Sequence, residues 1–319
     1  MKLLITLGLA LLTFAGLAQD KTVFYFKYNG NKVATADSAD FIRVITPPDS
    51  ASTLFNVQEF YTANGGKRKL IGKSTAIDPI VLEGQCATYY LNGNRESVTD
   101  YSGGTYLGNS YIYYPNGKLH TLLTYDTLNA KNYDVNYKII TCNDSTGAPT
   151  VTEGNGHYID YNLLTRTVSE EGNVKNGSPD GEWHGSYADK VFYVDTYRDG
   201  QFISGISTLP NGVKYTYQHK VQSPEFKGGD ALFMAYLKKK VNYKAPVVKK
   251  GAPAPAKKIV LMTFVVTQQG KPVNVKLFGS FNSIADKALM NAALTSTGWK
   301  PALQNGHPVD APYNLAVNL

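Results

Sequence analysis

The sequence predicts a mainly β protein with an α+β C-terminal part, and three observations carry that expectation. Tyrosine is abundant, with 23 residues, and 20 of them lie between Tyr25 and Tyr217; tyrosine suits the pleated, half-buried surface of a sheet. Asn-Gly, Asp-Gly and Gly-Gly pairs punctuate the same stretch at short intervals, the pattern of successive hairpins. In the last hundred residues apolar positions twice adopt helical spacing, between segments that alternate like strands.

The chain has 319 residues, 43% hydrophobic and 18% charged. That length predicts two domains, and the apolar fraction excludes a disordered chain. After the N-terminus no apolar run approaches the roughly 20 residues of a membrane span, which excludes a multi-pass membrane protein. Two cysteines exclude a disulfide-built scaffold. Met1-Lys2 followed by the apolar run Leu3 to Leu17 and the small-residue sequence Gly16-Leu17-Ala18 is the pattern of an export signal cut after Ala18. An uncut signal would instead anchor the chain in the inner membrane. The mature chain is thus expected in the periplasm or outer envelope, where Cys86 and Cys142 form a candidate disulfide worth about 4 kcal/mol, the alternative being two buried thiols.

Elements follow in order. Val23-Phe24-Tyr25-Phe26 and Phe41 to Ile45 read as strands around the Asn29-Gly30 turn, the atypical first unit of an array. An internal repeat comes next. Gly84, Tyr89-Tyr90 and Asn92-Gly93 recur 24 residues later as Gly108, Tyr113-Tyr114 and Asn116-Gly117. Each period holds two strands and two turns, with the Asn-Gly pairs expected in type I′ geometry. Looser copies extend to Asn176-Gly177, Asp180-Gly181 and Asp199-Gly200. Single hairpins are marginal, so the copies must stack into one long antiparallel sheet. Over roughly residues 55–215 these units resemble MORN repeats, particularly the bacterial variant with Tyr-Tyr-x-Asn-Gly-Lys units. The tyrosines are expected to pack along the sheet or to form an aromatic surface for a partner or glycan.

Ala231 to Val241 reads as a helix burying Leu232, Phe233, Tyr236, Leu237 and Val241, with Asp230 and Lys238-Lys239-Lys240 matched to its dipole. Ile259 to Val266 is a continuous apolar strand, turned at Gly270 into Val273 to Leu277. A second helix is expected with Ser283 as cap, Asp286 completing a capping box, an apolar stripe of Ile284, Ala288, Leu289 and Ala292, and Gly298 as the stop. Tyr313 to Leu319 alternates as a final strand, with Trp299 in the core.

Pro224-Glu225-Phe226-Lys227-Gly228-Gly229, the Gly270 hairpin, Trp299-Lys300-Pro301-Ala302, Asn305-Gly306-His307-Pro308-Val309 and the terminal Tyr-x-Leu-x-Val strand occur in order. Together they resemble the C-terminal domain of TonB energy transducers, in the form typical of Bacteroidota. The expected organisation is a signal peptide at 1–18, MORN-like repeats at 19–222 and a TonB-like helix-strand-strand-helix-strand domain at 223–319. The resemblance implies that Tyr313, Asn314, Leu315, Ala316 and Val317 offer a sheet edge to a short segment of an outer-membrane receptor or other envelope protein, in energy-coupled transport. The chain departs from the pattern at Tyr243 to Lys258, where extra Pro-Ala residues replace the expected glycine. It also lacks the long Pro-rich spanning linker of a full transducer, which favours a second reading, a non-transducing envelope interaction protein.

From Lys227 to Lys258 nine lysines face one acid, Asp230, in a chain of net charge +7. Lys244, Lys249, Lys250, Lys257 and Lys258 form a basic loop suited to peripheral contact with an anionic membrane, a polysaccharide or an acidic protein surface, the alternative being a solvated loop kept soluble by lysine. No nucleic-acid motif is present, and an exported chain is not expected to meet such a partner. His120, His157, His184, His219 and His307 lie far apart without metal-ligand spacing, and no Gly-x-Ser-x-Gly elbow or phosphate loop occurs. No catalysis, metal or cofactor is expected.

Overall fold

The computed structural model describes residues 21–63, 65–125, 137–162, 167–187, 190–241 and 258–318. The expected signal peptide lies outside these residues, as do Lys244, Lys249, Lys250 and Lys257. The fold is mainly β, with a large antiparallel meander of 17 strands between Thr22–Phe26 and Lys214–Tyr217. The described residues of Met1–His157 and Asn176–Ser178 form one compact unit, and those of Tyr158–Lys175 and Pro179–Leu319 form a second.

In the first unit, successive strands pair in chain order from Phe41–Thr46 through Tyr137–Asn143. Alternation puts Ile45, Val57, Leu70 and Cys86 on one buried face. Glu59 shares that face and is held by Arg43 and Lys69, each 2.6 Å away, so its charge is compensated on both oxygens. The Tyr-Tyr repeat has a mechanical meaning. The hydroxyls of Tyr61, Tyr90 and Tyr114 donate to the carbonyls of Tyr89, Tyr113 and Asn143, at 2.8, 2.6 and 2.9 Å. Each unit thereby bolts itself to the next. The turns stack in the same way: Asn92 Nδ2 donates to Pro115 O at 2.8 Å and Asn116 Nδ2 to Ser145 O at 2.9 Å.

The Asn-Gly turns of the best two repeats differ from the type I′ expectation. Positive φ falls on Gly93 (+95°) and Gly117 (+85°), while Asn92 and Asn116 keep negative φ. Their side chains instead accept from Asn94 N and Lys118 N, two residues on, giving a type I turn closed by a left-handed glycine. An Asn that must also reach the neighbouring turn is better served by this geometry. Type I′ geometry, with both residues at positive φ, occurs at Asn176-Gly177 and Asp199-Gly200.

The second unit holds the last array hairpins and the helical region. Ser178–Tyr187, Val191–Arg198, Gln201–Thr208 and Lys214–Tyr217 pair in order. Trp183 is buried, stacks on Tyr158 and donates to Asn173 O at 2.8 Å. Further on, the helices Gly229–Val241 and Ser283–Leu294 accompany a three-stranded sheet in which Ile259–Val266 lies between Pro272–Phe278 and Ala311–Asn318. Their core is aromatic: Phe233 lies 4.9 Å from Phe226 and 4.8 Å from Trp299, with Phe264 and Tyr313 around them. Trp299 is a core residue, its indole N–H donating to Ser296 Oγ at 2.9 Å.

The helices correct five details. The second helix is capped by Asn282, not Ser283; its side chain accepts from Ile284 N and Ala285 N. Asp286 instead accepts from Phe281 N and Ser280. The buried stripe is Ala285, Leu289, Ala292 and Ala293, which leaves Ile284 82% exposed and the helix ended at Leu294, before Gly298. In the first helix Phe233, Leu237 and Val241 are buried and Leu232 is exposed. The second stripe is rotated by one residue, a shift that small alanines hide in the sequence, and the first is the expected one narrowed by the exposure of Leu232.

Candidate functional site

The strand Ala311–Asn318 lies at the rim of the three-stranded sheet. One side pairs antiparallel with Ile259–Val266, from Ile259↔Asn318 to Val266↔Ala311, and among the described residues no strand pairs the other side. Strict alternation fixes its faces. Tyr313, Leu315 and Val317 are buried, whereas Asn314, Ala316 and Asn318 are exposed. The five residues expected to form an edge are thus contiguous on one strand, with three side chains turned inward and two outward.

Tyr313 is the strand's anchor. Its ring sits 4.7 Å from Trp299 and 5.2 Å from Phe264. Its hydroxyl donates to Asp230 Oδ1 at 2.6 Å, in the first turn of the helix Gly229–Val241. Burial and that hydrogen bond push the phenol well above its usual range, so Tyr313 stays a neutral donor. Asp230, read from the sequence only as a dipole partner, therefore also fixes the edge strand. A rim strand held from inside in this manner keeps a defined ladder on its outer side.

The outward face beside the rim is apolar at one end. Leu261 lies opposite both Phe278 and Ala316, so the three form a stripe across all three strands. Phe278 is 60% and the neighbouring Ile259 64% exposed. The continuous apolar run Ile259 to Val266 concealed this: Val260, Met262, Phe264 and Val266 face the core while Ile259 and Leu261 face outward. Lys258, the described member of the expected basic loop, is exposed directly before this strand.

The other sequence candidates lie elsewhere. Cys86 and Cys142 are separate buried thiols on the strands Ile80–Tyr89 and Tyr137–Asn143, so the candidate disulfide is absent from this structure. Each fills a small position on the sheet's buried face; Cys86 Sγ lies 3.1 Å from where a Cβ on Gly72 would stand. Comparison with protein-family models, curated proteins and solved structures finds no match for this chain.

Proposed function

We propose that the chain is an exported envelope protein whose rim strand Ala311–Asn318 receives an extended segment of an outer-membrane receptor by strand addition. The observation that carries this reading is a strand anchored from within through Tyr313, Leu315 and Val317 whose outer side is unpaired among the described residues. In this reading the tyrosine-bolted meander is a stiff spacer, no catalysis is involved, and the resemblance to TonB-type domains supplies the partner class.

The strand itself indicates which main-chain groups a visitor meets. Proline has no N–H, so Pro312 fits an edge strand best with its nitrogen on the unpaired side. Two-residue alternation then directs the N–H and C=O of Asn314, Ala316 and Asn318 outward, and those of Tyr313, Leu315 and Val317 into the ladder with Ile259–Val266. Ala316 is the centre of the receiving edge, and its neighbours Leu261 and Phe278 favour an apolar visitor side chain on the outward face.

Synthetic receptor segments titrated against the full chain, read by fluorescence anisotropy, test this. Ala316→Pro removes the outward donor without touching the internal ladder, and is expected to weaken binding by at least about tenfold. Unchanged affinity in that variant would rule out the rim as the docking edge.

A further inference from the structure

Within the second unit, the segment between the array's last strand, Lys214–Tyr217, and the short strand Val221–Gln222 carries Lys220, whose ammonium is caged. It lies 2.8 Å from Asp195 Oδ2 and 2.5 Å from the Tyr197 hydroxyl. The rings of Tyr197, Phe202 and Tyr193 surround it at 5.2, 5.4 and 6.0 Å from their centroids. Asp195 is fully buried; Oδ1 takes the Tyr217 hydroxyl, and Oδ2 has the Lys220 ammonium as its one close partner among the described residues. Behind this floor the Tyr193 hydroxyl donates to Glu170 Oε2 at 2.6 Å. Burial works against the ammonium's charge, and Tyr197 with Asp195 more than offsets it, so Lys220 remains a firm cation. A buried carboxylate under three aromatic faces is the chemistry of an ammonium site.

The backbone at Lys220 holds something in turn. Its carbonyl accepts from Asn305 N at 2.7 Å, and the Asn305 carbonyl accepts from Ser207 Oγ at 2.7 Å. Val221–Gln222 pairs with Leu303 and Gln304. His307 stacks on Tyr187, with Nδ1 3.3 Å from its hydroxyl. Gly306 lies so close that a Cβ there would come within 3.0 Å of Thr216 O. The hairpin Ala302–Gln304 with His307–Val309 is therefore seated on the last array strands, and through Asp310 it runs straight into the rim strand Ala311–Asn318.

We infer that the Tyr193–Tyr197–Phe202–Asp195 cage is an ammonium-binding site filled in cis by Lys220, and that this occupancy latches the C-terminal hairpin to the end of the array. The rim strand then follows directly on a turn that the latch holds against the last array strands. The latch is a property of the cage and stands whatever docks on the rim.

Amide hydrogen exchange on the full chain tests it. Lys220→Met leaves Asp195 buried without its cation, so the deciding variant is the neutral pair D195N/K220M, in which the new amide oxygen at position 195 can still accept from Tyr217. Exchange at Asn305, Leu303 and Gln304 should quicken by about tenfold or more, the combined worth of a charge-assisted contact and its aromatic faces. Amides of Ile259–Val266 and Ser283–Leu294 should stay as they were. In K220A, added n-propylammonium should restore protection at Asn305, and n-propanol at equal concentration should not. Unchanged exchange at the hairpin in D195N/K220M, a uniform rise across the whole unit, or equal effects of the two solutes would each overturn the latch.

Discussion

Replacing Gly205 by alanine puts the packing of the last array strands to a quantitative test. Gly205 is buried in the strand Gln201–Thr208, and a Cβ placed there would stand 2.2 Å from the Tyr217 ring and 2.4 Å from Asp195 Oδ1. Carbon atoms rest at about 3.5–4.0 Å, so both neighbours would have to retreat by more than about 1 Å. Neither is free to do so: Asp195 is fully buried, and Tyr217 is buried against Phe202 at 5.7 Å while donating to that carboxylate. Losing that charge-assisted bond costs about 1.5–3 kcal/mol, and displacing the ring adds packing loss. The stiffer unfolded chain of an alanine variant returns only about 0.4–1 kcal/mol. The net expectation is a destabilisation of about 2–4 kcal/mol in urea unfolding. A double-mutant cycle isolates the cause. Tyr217→Ala alone should cost about 3 kcal/mol, and with the ring gone G205A should cost clearly less than it does in the parent, what remains being the close approach to Asp195 Oδ1. Additive costs, or a G205A variant as stable as the parent, would refute the reasoning.

Other outcomes follow from the same contacts. Tyr90→Phe and Tyr114→Phe each remove one hydroxyl-to-carbonyl bolt between successive repeats, and each should cost about 1 kcal/mol by urea unfolding with the fold retained. Burial, opposed by the Tyr193 hydroxyl and Lys220, raises the Glu170 carboxyl above its ordinary value. The folded state then holds this proton more tightly than the unfolded chain, so its contribution is full below about pH 4.5 and is lost as pH rises through the folded value. Glu170→Gln should flatten that decline in a series of melting temperatures taken above pH 4.5, and an unaltered slope would exclude Glu170 as its source. Burial, reinforced by Glu59, pushes the Cys86 thiol up to about 11, so at pH 8 only about one molecule in a thousand carries the thiolate. Alkylation should therefore be slow in the folded chain and fast for both cysteines in denaturant.

Much of the fold is legible because hairpin chemistry is local. The recurrence of Tyr89-Tyr90 and Asn92-Gly93 at Tyr113-Tyr114 and Asn116-Gly117 marks turns and strands directly, and the meander follows from chain order. What one repeat does to the next is less legible. Nothing in the residue pattern says that Tyr90 reaches the Tyr113 carbonyl, or that Asn92 keeps negative φ in order to bridge to Pro115. At the rim, the alternation of Tyr313 to Val317 shows the inward and outward sets plainly. The apolar run Ile259 to Val266 does not, because hydrophobicity alone cannot tell a covered face from a bare one. The tie from Asp230 to Tyr313 spans 83 positions, and that from Asn305 to Lys220 joins two loops; both depend on tertiary placement that no local pattern encodes. For Cys86 and Cys142 the sequence left a bridge and two buried thiols open, because it cannot place the two side chains relative to each other; both are free and buried in the structure.

The most direct measurement is an amide-exchange map of the full chain with and without a saturating receptor segment. Strand addition at the rim predicts new protection at Asn314, Ala316 and Asn318, little change at Tyr313, Leu315 and Val317, which are already in the ladder, and loss of the effect in A316P. Protection that gathers elsewhere while these three amides exchange as before would contradict the account.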